Sequence, residues 1–120
     1  MIKSKCFFGD LFSTLYELRN HHSPRLATHR TFSYLIKEEI VKNFGKDSDS
    51  TVNFGEFGEL IFPYHEMGTI TSLDLFGLDE LIIFCFYWQN RNQYKHVADI
   101  GGNIGLHSII LNKCGCDVRC

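Results

Sequence analysis

Proline is nearly missing from this chain: Pro24 and Pro63 are the only two in 120 residues. Helices can therefore run without an internal breaker. Tryptophan is scarcer still, with Trp88 alone. No excess of positive charge is present, since 12 Lys and Arg face 14 Asp and Glu for a net charge of -2. The clustered basic footprint that a nucleic-acid backbone demands is lacking, so no nucleic-acid partner is expected. A long apolar run is missing too. The strongest, Leu81 to Trp88, falls far short of the roughly 20 residues a bilayer span requires, so no membrane partner is expected. No secretory apolar segment opens the sequence, and the cysteines are odd in number: Cys6, Cys85, Cys114, Cys116 and Cys120. Reduced thiols in a cytoplasmic setting are the expectation, with no disulfide framework and no metal.

Aromatic residues, by contrast, are abundant. They make up 14% of the chain, and eleven are phenylalanine. Rings of that size must be hidden, either in an unusually aromatic core or beneath further protein. A hydrophobic share of 44% with 22% charged residues is that of a globular chain, large enough for one small core.

Periodicity divides the chain. From Phe7 to Asn20, Phe8, Leu11, Phe12, Leu15, Tyr16 and Leu18 recur at helical spacing. Ser23-Pro24 then reads as the cap and first turn of a second helix running to about Asn43, with Leu26, Phe32, Leu35, Ile36, Ile40 and Val41 as its apolar positions. The two helices are expected to pair as a hairpin, forming an N-terminal helical cap over residues 1–45. A polar stretch, Gly45 to Ser50, reads as a linker. Residues 51–120 follow as a second unit. Within it, Thr51–Phe54, Gly58–Phe62 and Gly68–Leu73 have the β-branched and aromatic character of a small antiparallel unit. Asp79 and Glu80 open a helix that continues through Trp88, and Tyr94–Ile100 reads as a buried strand. Ile104 to Leu111 form the next helix, with Gly115 as its cap and Asp117–Cys120 beginning another strand. The fold class expected is α/β: a helical hairpin and a small antiparallel β unit, then the start of a parallel sheet.

The chemistry is concentrated at Val97-Ala98-Asp99-Ile100-Gly101-Gly102-Asn103-Ile104-Gly105, a strand that ends on an acid and turns through glycines into a helix. Such a turn aims backbone N–H groups and the positive helix end at a ligand. Glycine is needed there for tight backbone angles and for close approach of a ligand to the main chain. An acid at the end of an apolar strand must reach solvent or hydrogen-bond donors, and a cationic ligand group suits it. The order of residues does not match the dinucleotide pattern G-x-G-x-x-G, and no Gly-Lys-Ser/Thr is present for a phosphate-cradling loop.

Asp99-Ile100-Gly101-Gly102-Asn103-Ile104-Gly105 resembles the first motif of S-adenosylmethionine-dependent methyltransferases, and more narrowly the D-x-G-A-N-x-G form of the FkbM family. Gly102 stands where that pattern usually has Ala. The resemblance covers roughly Val52 to Cys120 and implies the start of a Rossmann-like class I methyltransferase sheet. It also implies that Gly101, Gly102 and Gly105 line the amino-acid end of S-adenosylmethionine. Asp99 would orient the loop and the cofactor's ammonium group, and Asn103 would shape the turn. In the family, a ribose-binding acid follows the second strand, and later strands supply the substrate cleft and any base. The chain ends at Cys120, so the expectation is a truncated N-terminal fragment, inactive alone and binding the cofactor weakly or not at all, with its catalytic residues and methyl acceptor unassigned.

Other clusters read more simply. His21, His22 and His29 are taken as boundary or surface histidines, and Cys114, Cys116, Cys120 and His107 match no paired metal-ligand spacing. His65 and Glu66 read as a loop, and Phe84, Phe86, Tyr87 and Trp88 as core packing. The alternative to an enzyme fragment is a non-catalytic interaction module on the same half-fold, forming a homo-oligomer through an uncovered sheet edge.

Overall fold

The computed structural model describes residues 6–48 and 51–120. The linker expected over 45–50 runs into positions 49 and 50, which lie outside the described residues. Helix α1, Phe7–Glu17, buries Phe8, Leu11, Phe12 and Leu15 on one stripe, as the spacing predicts. Its N-terminus is capped by Cys6, whose sulfur accepts a hydrogen bond from the Gly9 N–H at 3.4 Å. The helix stops at Glu17, three residues before its predicted end, and the chain turns through Leu18–Asn20.

Helix α2 spans Ala27–Phe44 and starts later than the Ser23-Pro24 signal predicts. That pair instead forms a separate turn. Leu26 N–H donates to Ser23 O at 3.0 Å, and extended ψ at Leu26 (145°) delays the helix to Ala27. Only Ile36, Ile40 and Phe44 of α2 are buried. Leu35 and Val41, expected in the core, are 64% and 49% exposed, because both lie off the narrow buried stripe. The predicted hairpin is likewise corrected. Helix α1 packs on α3, Leu78–Gln89, and on the 3-10 turn at Gly55–Phe57, whereas α2 packs on the 3-10 turn at Ser72–Phe76 and on α3. The two helices touch each other through Phe8 and Phe44, with ring centroids 6.0 Å apart.

Between α2 and α3 lie two small antiparallel pairs. Strands β1 (Val52–Asn53) and β2 (Glu59–Leu60) pair Val52 with Leu60 around a 3-10 turn at Gly55–Phe57. Strands β3 (Glu66–Met67) and β4 (Ile70–Thr71) form the second, so Glu66 belongs to a strand rather than to a loop. The expected strand over Gly68–Leu73 ends at Thr71. There the Thr71 N–H donates to the Asp74 carboxylate at 2.8 Å, and the Thr71 hydroxyl accepts from the Leu73 N–H, opening a 3-10 turn at Ser72–Phe76.

A single apolar cluster runs from Phe8 to Cys116, drawing on residues before and after the linker. Phe54 sits inside it with no exposed surface. Its ring meets Phe8 at 4.8 Å, Phe12 at 5.2 Å, Phe44 at 5.8 Å and Phe84 at 6.3 Å, largely in tilted or edge-on geometry. Phe44 stacks on Phe76 with centroids 4.0 Å apart. The phenylalanine abundance is therefore spent on an internal aromatic core.

Strand β5 (His96–Ala98), helix α4 (Leu106–Lys113) and strand β6 (Asp117–Arg119) complete the chain. The two strands are parallel, pairing His96 with Asp117, Val97 with Val118 and Ala98 with Arg119. Gly115, at φ 89°, ends α4 as expected. The architecture is thus mixed α/β, with four helices and three two-stranded sheets among the described residues. Among those residues, no helix is long and apolar enough to cross a membrane.

Candidate functional site: the loop between β5 and α4

Strand β5 is tied to β6 up to its last residue and one step beyond, because the Asp99 N–H donates to Arg119 O at 2.7 Å. The chain then leaves the sheet. Ile100 projects outward and is 94% exposed, an unusual position for so apolar a side chain. Gly101 follows at φ 71°, Asn103 at φ 52° and Gly105 at φ 87°. Asn103 is the one described non-glycine residue with positive φ, and asparagine tolerates this left-handed region better than most residues. A Cβ at Gly101 or Gly105 would meet nothing within 4 Å, so at both places the backbone angle requires glycine and the space beside the main chain is open.

Gly102 has a different reason. A Cβ there would lie 2.6 Å from the Cys120 sulfur and 2.9 Å from Oδ2 of Asp99. A side chain at this position would press on both, so glycine here is matched to the side chains beneath it. The Gly105 N–H closes the turn on Gly102 O at 2.8 Å, and the Ile109 N–H donates to Gly105 O at 3.0 Å as α4 begins. No side chain caps α4, and Gly105 holds its N-cap position in left-handed geometry.

The structure thus gathers Asp99, Gly101, Gly102, Asn103 and Gly105 into one turn, as their adjacency dictates. Asp99 is half-buried beneath it, and Oδ2 accepts a hydrogen bond from the Ser108 hydroxyl at 2.6 Å. This bond fixes one oxygen of the carboxylate against the first turn of α4. Ser108 was not singled out from the sequence, although it lies on the first turn of α4, where a hydroxyl can reach back to the preceding strand end.

A second polar group lies behind the loop. Nε2 of His107 is 2.7 Å from Oε2 of Glu80, and Nδ1 is 3.0 Å from the Tyr87 hydroxyl. The His107 ring also lies against Phe84, edge-on at 5.2 Å. Burial pushes the Tyr87 phenol above its ordinary pKa, and the negative charges of Asp99 and Glu80 push it further. Tyr87 is therefore a neutral donor rather than the plain packing residue its aromatic neighbours suggest. Phe84 is buried as expected, whereas Phe86 is 55% exposed. Glu80 and Tyr87 stand two helical turns apart on one face of α3, which lets both reach the same ring of α4.

His22, read as a surface histidine, has Nε2 2.7 Å from Leu15 O and helps close the turn after α1. His29 reaches the Asp79 carboxylate at 2.8 Å, linking α2 to the start of α3. Among the described residues, no group of three His, Cys, Asp or Glu side chains is placed to hold a metal ion. Burial raises the Cys85 and Cys114 thiols to a pKa of about 11. Compared with known proteins, the chain matches no family model, no curated protein and no solved structure.

Proposed function

We propose that β5, α4 and β6 are the opening β-α-β unit of a Rossmann-like methyltransferase sheet, and that the turn from Asp99 to Gly105 seats the methionine end of S-adenosylmethionine. The supporting observation is the conjunction at that turn. A parallel-paired strand ends on a half-buried carboxylate and is followed by two left-handed glycines whose missing side chains leave open space. Peptide N–H groups between Gly101 and Ile104 suit the cofactor's carboxylate, and Asp99 suits its ammonium group. One oxygen of Asp99 is engaged by Ser108, which fixes the carboxylate's orientation and leaves Oδ1 for a ligand. The cofactor, when bound, supplies a methyl group activated by a positive sulfur. Transfer of that group depends chiefly on alignment of donor and acceptor.

A non-catalytic role on the same half-fold is favoured by a different observation. Because alternate backbone groups of a strand point to opposite edges, those of His96 and Ala98 face away from β6, and that of Val118 faces away from β5. Such edges pair readily with another strand.

Titration of the amide spectrum with S-adenosylmethionine decides between them. The cofactor reading expects saturable shifts at Asp99–Leu106, reproduced by methionine and absent with NAD. No shift at millimolar cofactor overturns it. Low-micromolar binding by calorimetry would keep the site and overturn the expectation that this chain binds weakly.

A further inference from the structure

Helix α3 contributes no residue to the glycine turn, yet it grips the first turn of α4 at two points. Glu80 and Tyr87 both reach His107, the second residue of α4, at 2.7 Å and 3.0 Å. A carboxylate can only accept, so Nε2 of His107 carries the proton toward Glu80. In the neutral ring Nδ1 is then an acceptor, and the Tyr87 hydroxyl donates to it. Both ring nitrogens are thereby used, and the tautomer is set by its surroundings. Phe84, edge-on at 5.2 Å, fixes the plane of the ring.

The neighbouring residue carries this restraint to the loop. Ser108 follows His107 in α4, and its hydroxyl holds Asp99, whose Oδ2 lies directly beneath Gly102. A rotation of α4 large enough to release His107 would draw Ser108 off Asp99 and empty the space under the glycine turn. The chain of contacts is Glu80 and Tyr87 to His107, then through one peptide unit to Ser108, Asp99 and Gly102.

We propose that Glu80, Tyr87 and His107 are positioning residues for the glycine turn, setting the orientation of α4 so that Ser108 and Asp99 support the turn from below. Only the naming of that turn as a cofactor seat rests on the function proposed above. The positioning itself is read without cofactor.

The test is amide hydrogen exchange on the full chain with Tyr87→Phe, Glu80→Gln, His107→Ala and His107→Gln. The Gly105 and Ile109 amides report the turn, since they bond to Gly102 O and Gly105 O, and the Leu15 amide of α1 reports general stability. Tyr87→Phe and Glu80→Gln preserve shape and remove or weaken one bond each. They should raise exchange at Gly105 and Ile109 by about tenfold and leave Leu15 unchanged. His107→Gln places an amide nitrogen near the former Nε2 and should restore most of the protection lost in His107→Ala. The wild-type imidazole should show the nitrogen shifts of an Nε2-protonated ring. Exchange at Gly105 and Ile109 within twofold of wild type in Tyr87→Phe and Glu80→Gln overturns the proposal. So does an equal rise at Leu15, which would mark general loosening. If His107→Ala does not fold, the two isosteric variants carry the test. A wild-type chain that passes it but shows no shift with S-adenosylmethionine would retain the positioning and lose the cofactor reading.

Discussion

The Ser108 hydroxyl lies 2.6 Å from Oδ2 of Asp99 and joins the first turn of α4 to the end of the strand that precedes it. This is a short hydrogen bond to a half-buried carboxyl group, and its removal leaves that group with fewer donors. Ser108→Ala should lower the unfolding free energy by about 1–2 kcal/mol in urea titrations. Ser108→Thr keeps the hydroxyl and should lose less. Equal stability of Ser108→Ala and wild type would show that the bond contributes nothing net.

Gly102→Ala places a methyl group against the Cys120 sulfur and the Asp99 carboxylate. Overpacking of this kind should cost about 1–3 kcal/mol. Cys120→Ala removes the sulfur and should be nearly neutral alone, because Cys120 is exposed. Combined with Gly102→Ala, it should recover part of the loss, giving a measurable coupling in a double-mutant cycle. Full recovery would mean that Asp99 yields freely despite Ser108. Strict additivity would mean that the sulfur moves aside at no cost.

Phe54→Ala should be the most damaging single truncation in the aromatic core. The ring is fully buried among Phe8, Phe12, Phe44, Phe57, Phe76 and Phe84, and a cavity there costs about 3–5 kcal/mol. Phe86→Ala, at an exposed position on α3, should change stability by less than about 0.5 kcal/mol. Circular-dichroism melting separates the two outcomes, and similar losses for both would contradict the burial of Phe54.

Alkaline pH should weaken the fold. Burial raises Cys85 and Cys114 from 9.0 to about 11, so both thiols hold their protons more tightly when folded than when unfolded. Above pH 9 the unfolded chain releases these protons first, and stability falls as pH rises toward 11. Below pH 9 this contribution is complete and level. The melting temperature should therefore decline across that window, and less steeply in Cys85→Ala than in wild type. An unchanged slope in that variant would remove Cys85 from the account.

Helix α1 and the glycine turn were legible in the sequence because each is specified locally: one by the spacing of Phe8, Leu11, Phe12 and Leu15, the other by glycines that left-handed angles require. The start of α2 was not. Ser23 and Pro24 are a sound capping pair, but the Ser23 hydroxyl lies 3.4 Å from the Arg25 N–H and serves a separate turn. Leu35 and Val41 misled because apolar spacing does not say how wide a stripe of the helix meets the core: each is next in sequence to a buried isoleucine, Ile36 or Ile40, but lies off its face. Glu80 and Tyr87 were hidden for the opposite reason. Their partner, His107, belongs to another helix, and a bond across helices has no periodic signature.

The contact of Phe84 with His107 joins the aromatic core to the helix that follows the glycine turn. Phe84 also touches Phe54, which in turn touches Phe8 of α1, so the path from the N-terminal helix to the turn is an unbroken row of rings. These contacts link positions far apart along the chain, and their loop-closure entropy must be met before any of them stabilises the fold. Folding should accordingly be late and cooperative, with α1 and the glycine turn acquiring protection in the same kinetic phase.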